Sequence, residues 1–259
     1  MLKIHQKLLF GTLITLSVII LIAPALMADS GNTFNDSFSQ AKTWLEKKVY
    51  DDHRTTIYCG ASFNADKRVQ LPKGFQTDKY KSRAERIEWE HVVPAENFGR
   101  TFPEWREGHS SCRDLKGKPF KGRKCAELAN KDYRLMQADM YNLYPAIGAV
   151  NALRQNYNFT QFQSDTPSSF GSCLMKIQDK KAEPPPAARG VIARTYLYFE
   201  HAYRRYKMSD AQRKLMNAWD KEYPVDSWEC ERACRIRAIQ KNENTVLRDR
   251  CQTKGLWPC

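Results

Sequence analysis

All eight cysteines of this chain lie downstream of its one long apolar run, and that order bounds what it can fold into. The run, Leu8 to Met27, carries no charge. Lys3 and Lys7 precede it, and Ala23-Pro24-Ala25 and Ala28 supply small residues near its end. That is the layout of a secretory signal peptide cleaved near Ala28. An uncleaved anchor is the competing reading, since the run is nearly long enough to span a bilayer. The polar residues Asp29, Ser30, Gly31 and Asn32 follow at once and favour cleavage, giving a 1–28 leader and a 29–259 domain. Export places Cys59, Cys112, Cys125, Cys173, Cys230, Cys234, Cys251 and Cys259 in an oxidising compartment, where an even count reads as disulfides. The expected local pairs are Cys112 with Cys125, closing a basic loop, and pairings within the last four. Cys230-x3-Cys234 also has a plausible zinc spacing, but no CxxC or HxxxH accompanies it.

Beyond the leader the chain is a mixed, mainly helical domain without repeats, which excludes solenoids and fibrous arrays. Phe38, Ala41, Trp44, Leu45 and Val49 fall at helical spacing within residues 35–49. Residues 51–86, broken by Gly60, Pro72 and Gly74, predict short strands and loops. Arg86 to Val93 alternates Ile87, Trp89 and His91 against Glu88, Glu90 and Val92, a strand that Pro94 ends. Tyr144-Pro145 predicts a helix opening on a first-turn proline and running through Leu153. Pro184-Pro185-Pro186 reads as a surface connector within one domain, followed by an aromatic helix from Val191 to Tyr206. Ser209 with Gln212 forms a capping box, and Asp226 or Ser227 caps a further helix through Ile239.

The formal charge is +13, or +11 once Lys3 and Lys7 leave with the leader. An exported protein of that charge has a polyanion as its natural partner. Lys116, Lys118, Lys121, Arg123 and Lys124 crowd one segment, Lys79, Lys81, Arg83 and Arg86 precede the strand, and Tyr203-Arg204-Arg205-Tyr206 mixes bases with aromatics. Such groups bind phosphates without reading sequence. The sharpest chemical signal is Glu88-Trp89-Glu90-His91-Val92-Val93-Pro94. Phosphodiester hydrolysis needs a base for water and a cation to offset charge in the transition state. A neutral histidine suits the first role, and Mg²⁺ held by one or two protein oxygens suits the second. Neighbours on a regular strand face opposite sides, so Glu90 and His91 act together only at a strand end or bulge. Asn142 and Asn151, around the following helix start, are the candidate oxygen donors from a second element.

Ile87-Glu-Trp-Glu-His-Val-Val-Pro-Ala95 followed by Asn142-Leu-Tyr-Pro-Ala-Ile-Gly-Ala-Val-Asn151 resembles the bacterial endonuclease I family. Ile192-Ala-Arg-Thr-Tyr-Leu-Tyr and Tyr223-Pro-Val-Asp-Ser-Trp-Glu-Cys230 resemble it too, so the likeness runs over roughly residues 35 to 255. The resemblance implies an α+β fold: a ββα-metal (His-Me finger) core embedded in a mostly helical, disulfide-bonded single domain. It also implies a periplasmic or secreted, monomeric, Mg²⁺-dependent endonuclease with one ion per site, cutting DNA, and RNA as well, to 5′-phosphate ends without sequence preference. By the same resemblance His91 is the general base, Glu90 and Asn151 hold the metal, and Asn142 supports them. Gly122-Arg123-Lys124-Cys125 matches the family's arginine on the scissile phosphate, which makes Arg123 that residue, with a disulfide near it to hold the clamp. Lys118, Lys121, Lys124 and Arg154 are the expected nucleic-acid contacts. The segment from Trp105 to Cys125 is longer than in the family, and Ala61-Ser62-Phe63-Asn64 replaces cysteines found there in some members. Two other readings stand beside it. A DNA-capturing envelope protein without chemistry fits the charge but not the joint occurrence of Glu90, His91 and Asn151. A hydrolase of another phosphoester fits those residues but gives no rationale for the basic loop.

Overall fold

A computed structural model describes residues 31–258; the expected leader lies outside the described residues. The first helix, α1 (Phe38–Trp44), is capped by the Ser37 hydroxyl and continues as a π turn at Leu45–Val49, over the span where the apolar spacing predicts a helix. Short pieces follow: β1 (Ser62–Phe63), β2 (Val69–Gln70) and a 3₁₀ turn at Lys81–Glu85. The strand β3 (Ile87–His91) leads into four short helices: α2 (Ala95–Gly99), α3 (Pro103–Arg106), α4 (Arg123–Ala129) and α5 (Lys131–Gln137). Then come β4 (Leu143–Ile147) and α6 (Gly148–Arg154), followed by a small sheet of β5 (Asn158–Phe159), β6 (Lys176–Gln178) and β7 (Lys181–Glu183). Four longer helices complete the fold: α7 (Pro186–Ala202), α8 (Asp210–Glu222), α9 (Ser227–Gln240) and α10 (Thr245–Thr253). Ser209 accepts from the Gln212 amide and Asp226 from that of Glu229, so both predicted caps form.

The expected helix opening at Tyr144-Pro145 is a strand instead. Leu143–Ile147 pairs antiparallel with Ile87–His91, with Pro145 opposite Trp89 and Leu143 opposite His91. Proline is tolerated because its backbone faces away from β3: the Pro145 carbonyl accepts from the Ile57 amide at 2.9 Å, and nitrogen and oxygen of one strand residue point the same way. No ladder bond is lost. The helix begins three residues after Pro145, at Gly148, where a Cβ would lie 2.4 Å from the Arg83 carbonyl oxygen. That close approach seats α6 against the 3₁₀ turn at Lys81–Glu85, and α6 packs on β3 and β4 as well.

Two apolar clusters flank this unit. Phe98, Phe102, Tyr133, Tyr196, Phe199 and Trp219 dominate one, while Leu45, Tyr50, Tyr141, Tyr198 and Ile236 dominate the other. Disulfides join Cys59 to Cys173, Cys112 to Cys125 and Cys230 to Cys251. Cys234 is disulfide-bonded as well, which leaves no zinc role for Cys230 or Cys234. The Cys112–Cys125 link, 13 residues apart, ties the basic segment to the first turn of α4. In the chain-entropy model a loop of that size stabilises the fold by about 3 kcal/mol. Among the described residues, no helix is long and apolar enough to cross a membrane.

Candidate active site

β3 ends at His91, so Glu90 and His91 stand where the pleat breaks and both side chains reach one cleft of about 410 Å³. Arg83, Trp89, Glu90, His91, Arg123 and Asn151 line it. Asn142 holds the strand end: its Oδ1 accepts from the Val93 amide at 2.7 Å and its Nδ2 donates to the Val93 carbonyl at 3.0 Å. A second cavity of similar size, lined by Tyr50, Trp228 and Leu174, is mainly apolar. Arg232 on its wall donates to the Tyr50 and Tyr144 hydroxyls and to the carbonyls of Met140 and Leu143.

His91 is 7% exposed, and its Nε2 lies 2.8 Å from the Gln137 carbonyl oxygen. A carbonyl only accepts, so Nε2 carries the proton and Nδ1 keeps a lone pair. Burial, and then the Arg123 guanidinium, push the imidazole down to about 3, so the ring is neutral at physiological pH. Its face packs on Phe38 of α1, ring centroids 5.0 Å apart, and that same Phe38 ring carries the Arg123 guanidinium at 5.4 Å and the Lys42 ammonium at 4.6 Å. Phe38 therefore links the imidazole to the arginine, a role that its core-like spacing in the sequence does not reveal.

Glu90 is 3% exposed. Its Oε1 accepts from the Tyr58 hydroxyl at 2.9 Å and from Arg154 Nη1 at 2.8 Å. Oε2 has no hydrogen-bond partner among the described residues, yet it is not a sealed, unpartnered atom, so it opens on the cleft. Burial raises the carboxyl's pKa while Arg154 and Tyr58 pull it back. Across the cleft, Asn151 Nδ2 donates to Glu88 Oε2 at 2.7 Å. A carboxylate accepts only, so this bond settles the amide's orientation and leaves the carbonyl Oδ1 free. Glu88 in turn takes Arg83 Nε at 2.7 Å and Nη2 at 2.5 Å. Glu88 and Arg83 are neighbours of Asn151 that the motif reading left out of the site. The signal for Glu88 was present: it shares a strand face with Glu90, and the two acids meet Asn151 and Arg154, which share a helix face.

Arg154 departs from expectation. It is fully buried, paired with Glu90, and donates to the carbonyls of His91 at 2.9 Å and Val92 at 2.6 Å. It cannot reach a nucleic-acid phosphate, because its charge is spent inside the fold. Lys118, Lys121 and Lys124 are exposed but lie outside the cleft lining, which Arg123 joins.

The cleft offers two separately mounted oxygen donors, Glu90 Oε2 from a strand and Asn151 Oδ1 from a helix. Among the described residues no group of three or more His, Cys, Asp or Glu forms a metal cage. Two protein oxygens suit a hard cation that keeps most of its waters, and suit a transition metal poorly. A neutral histidine, a hard-cation donor pair and an exposed arginine around one polar cleft, in a basic disulfide-bonded α+β domain, define a class: phosphoester-directed hydrolytic sites.

Comparison with known proteins narrows the class. The model of the endonuclease I family matches residues 37–250. A periplasmic deoxyribonuclease of Aeromonas hydrophila is 37% identical over 248 residues, covering 93% of this chain and 95% of that protein. An extracellular deoxyribonuclease of the same organism is 39% identical over 224 residues, covering 83% and 91%. The endonuclease-1 of Buchnera aphidicola subsp. Acyrthosiphon pisum is 37% identical over 225 residues, covering 85% and 83%. This chain belongs to the endonuclease I family.

Proposed function

We propose that the chain is an endonuclease, exported by its 1–28 leader to the periplasm or medium, that hydrolyses DNA, and RNA as well, without reading sequence. The relatives' names support the substrate and the location. One observation carries the chemistry: the Nε2 proton of His91 is committed to the Gln137 carbonyl, so a bare Nδ1 stands in the cleft beside Glu90 and Asn151. In this reading β3, β4 and α6 are the ββα-metal core. His91 Nδ1 takes a proton from water as the water oxygen bonds to phosphorus. The P–O3′ bond breaks, leaving a 5′-phosphate and a 3′ oxygen that is protonated from solvent. Glu90 and Asn151 would hold Mg²⁺, which when bound offsets negative charge on the phosphate and the leaving oxygen. Arg123, always charged and forked, donates to the phosphate. Binding rests on charge, so it weakens steeply with salt.

Plasmid nicking by the oxidised protein tests this. Supercoiled plasmid is expected to open with Mg²⁺ and to stay closed with EDTA. Plasmid retarded on a gel but uncut, with Mg²⁺ and folded protein present, would favour the DNA-capturing alternative.

Glu88 is expected to act as a positioning residue for the cation site. Without its carboxylate the Asn151 amide is free to turn its NH₂ toward the cleft. Glu88→Ala should weaken Mn²⁺ binding about 10–100-fold in a calorimetric titration. Glu88→Gln, which can still accept from Asn151, should fall between Glu88→Ala and the unaltered protein. Unchanged affinity in Glu88→Ala, beside a loss in Asn151→Ala, would remove Glu88 from this role.

A further inference from the structure

Leu115 is fully exposed, at 108% of its reference area, and sits at the apex of the basic segment. An apolar side chain left wholly in water usually reflects mere tolerance, but here the backbone is built to display it. The Asp114 amide donates to the Lys118 carbonyl at 2.9 Å and the Gly117 amide to the Asp114 carbonyl at 2.9 Å. Asp114 Oδ1 accepts from the amides of both Lys116 and Lys118, each at 2.9 Å, so the acid is spent holding the turn. Gly117 supplies the positive φ the turn needs, 77°. Arg113 Nη1 braces the Gly117 carbonyl at 2.9 Å, and Arg113 bridges Pro119 across the hairpin. The Phe120 amide closes the base on the Cys112 carbonyl, and the Cys112–Cys125 disulfide fixes that base to the turn of α4 that carries Arg123. The Gly122 amide, just before Arg123, is held by the carbonyl of Trp105, another residue of the cleft lining.

We propose that this hairpin is a wedge that places Leu115 between base pairs of a nucleic-acid duplex whose backbone Lys116, Lys118, Lys121 and Lys124 grip. The proposal rests on the nuclease reading and deepens it. Charge complementarity selects the partner: Lys116 and Lys118 are exposed beside a tip whose one acid is consumed by its own backbone, and Lys121 and Lys124 are exposed at the hairpin's base and on α4. A short rigid arm with an apolar end is the form that unstacks a base step, because a flexible one would lose the gain to ordering. Being covalently tied to the helix that bears Arg123, the wedge would seat the duplex in a fixed relation to the cleft.

The test uses a duplex with 2-aminopurine as the probe base and EDTA present, so that binding is read without cleavage. The unaltered protein is expected to raise the probe's fluorescence as its base unstacks. Leu115→Ala should abolish that rise and weaken duplex binding about tenfold, while Leu115→Met keeps most of both. Leu115→Lys separates wedge from charge: it should lose the fluorescence rise even if it binds duplex more tightly. Equal affinity and equal fluorescence in Leu115→Ala would overturn the proposal. So would a loss confined to anionic phosphatidylglycerol vesicles, which would make the tip a membrane contact. Failure of the unaltered protein to nick plasmid with Mg²⁺ would instead strike the nuclease reading.

Discussion

Plasmid nicking by His91→Ala is expected to fall about 10²–10⁴-fold, the range general bases contribute, while retardation of the same plasmid in EDTA stays within a fewfold of the unaltered protein. The reason lies in how the two functions are mounted. The imidazole touches Gln137, Phe38 and Phe98 and has no exposed charge to offer a phosphate. In the proposed reading, grip belongs to Arg123 and the lysines, on other elements. Removing a buried ring also leaves a void against Phe38, so loss of activity alone would not separate chemistry from damage to the fold. His91→Asn answers this: its amide can still donate toward the Gln137 carbonyl, but it has no basic nitrogen, so it should be as inactive as alanine with stability nearer the original. Added imidazole, a small base able to enter a 410 Å³ cleft, should restore part of the alanine variant's rate and none of the asparagine variant's. Nicking by either variant at the original rate would end the assignment of His91 as base.

Parts of this site were legible because local chemistry decides them. A strand end close to the Glu90–His91 pair was readable from Pro94, although the strand stops at His91, short of the expected Val93, where Asn142 takes the Val93 amide and carbonyl. The Ser209 and Asp226 caps and the Cys112–Cys125 pair are likewise short-range matters. What failed was decided by the partner element. Leu143-Tyr-Pro-Ala-Ile147 is buried throughout and carries no period, so a first-turn proline was as good a reading as a strand. Only the pairing with β3, and an outward carbonyl taken by Ile57, makes it a strand. Phe38 has the spacing of a core residue and is only partly buried, because it packs beside the cleft rather than under it. Arg154 was misplaced for a different reason: charge suggests surface, yet the residue lies four after the buried Val150, on the buried face of its own helix. Its position was readable from the period, and its sign alone pointed the other way.

That misplacement has a measurable consequence. As a phosphate contact, Arg154 would be dispensable to folding, and Arg154→Ala would weaken DNA binding evenly and lower its salt slope by about one. As the buried partner of Glu90, it should do the reverse. Alanine would leave the Glu90 carboxylate without its cation and the carbonyls of His91 and Val92 without a donor, all in the interior. Breaking a buried pair from one side costs about 3–5 kcal/mol, which for a domain of this size is roughly 6–20 °C in the unfolding midpoint. Lysine should recover little, since one ammonium cannot span the Glu90 carboxylate, the two strand-end carbonyls and the Tyr196 hydroxyl that the fork serves. The double variant Glu90→Gln/Arg154→Met should be markedly more stable than Arg154→Ala, because it removes the stranded charge along with its partner. In the proposed cation site it should nevertheless be inactive, since glutamine offers the cation a neutral amide oxygen in place of the Glu90 carboxylate. A stable Arg154→Ala with a reduced salt slope would return the residue to the surface and detach it from Glu90. A destabilised one with unchanged slope would show that Arg154 orders the strand end, in line with phosphate recognition by Arg123 and the lysines.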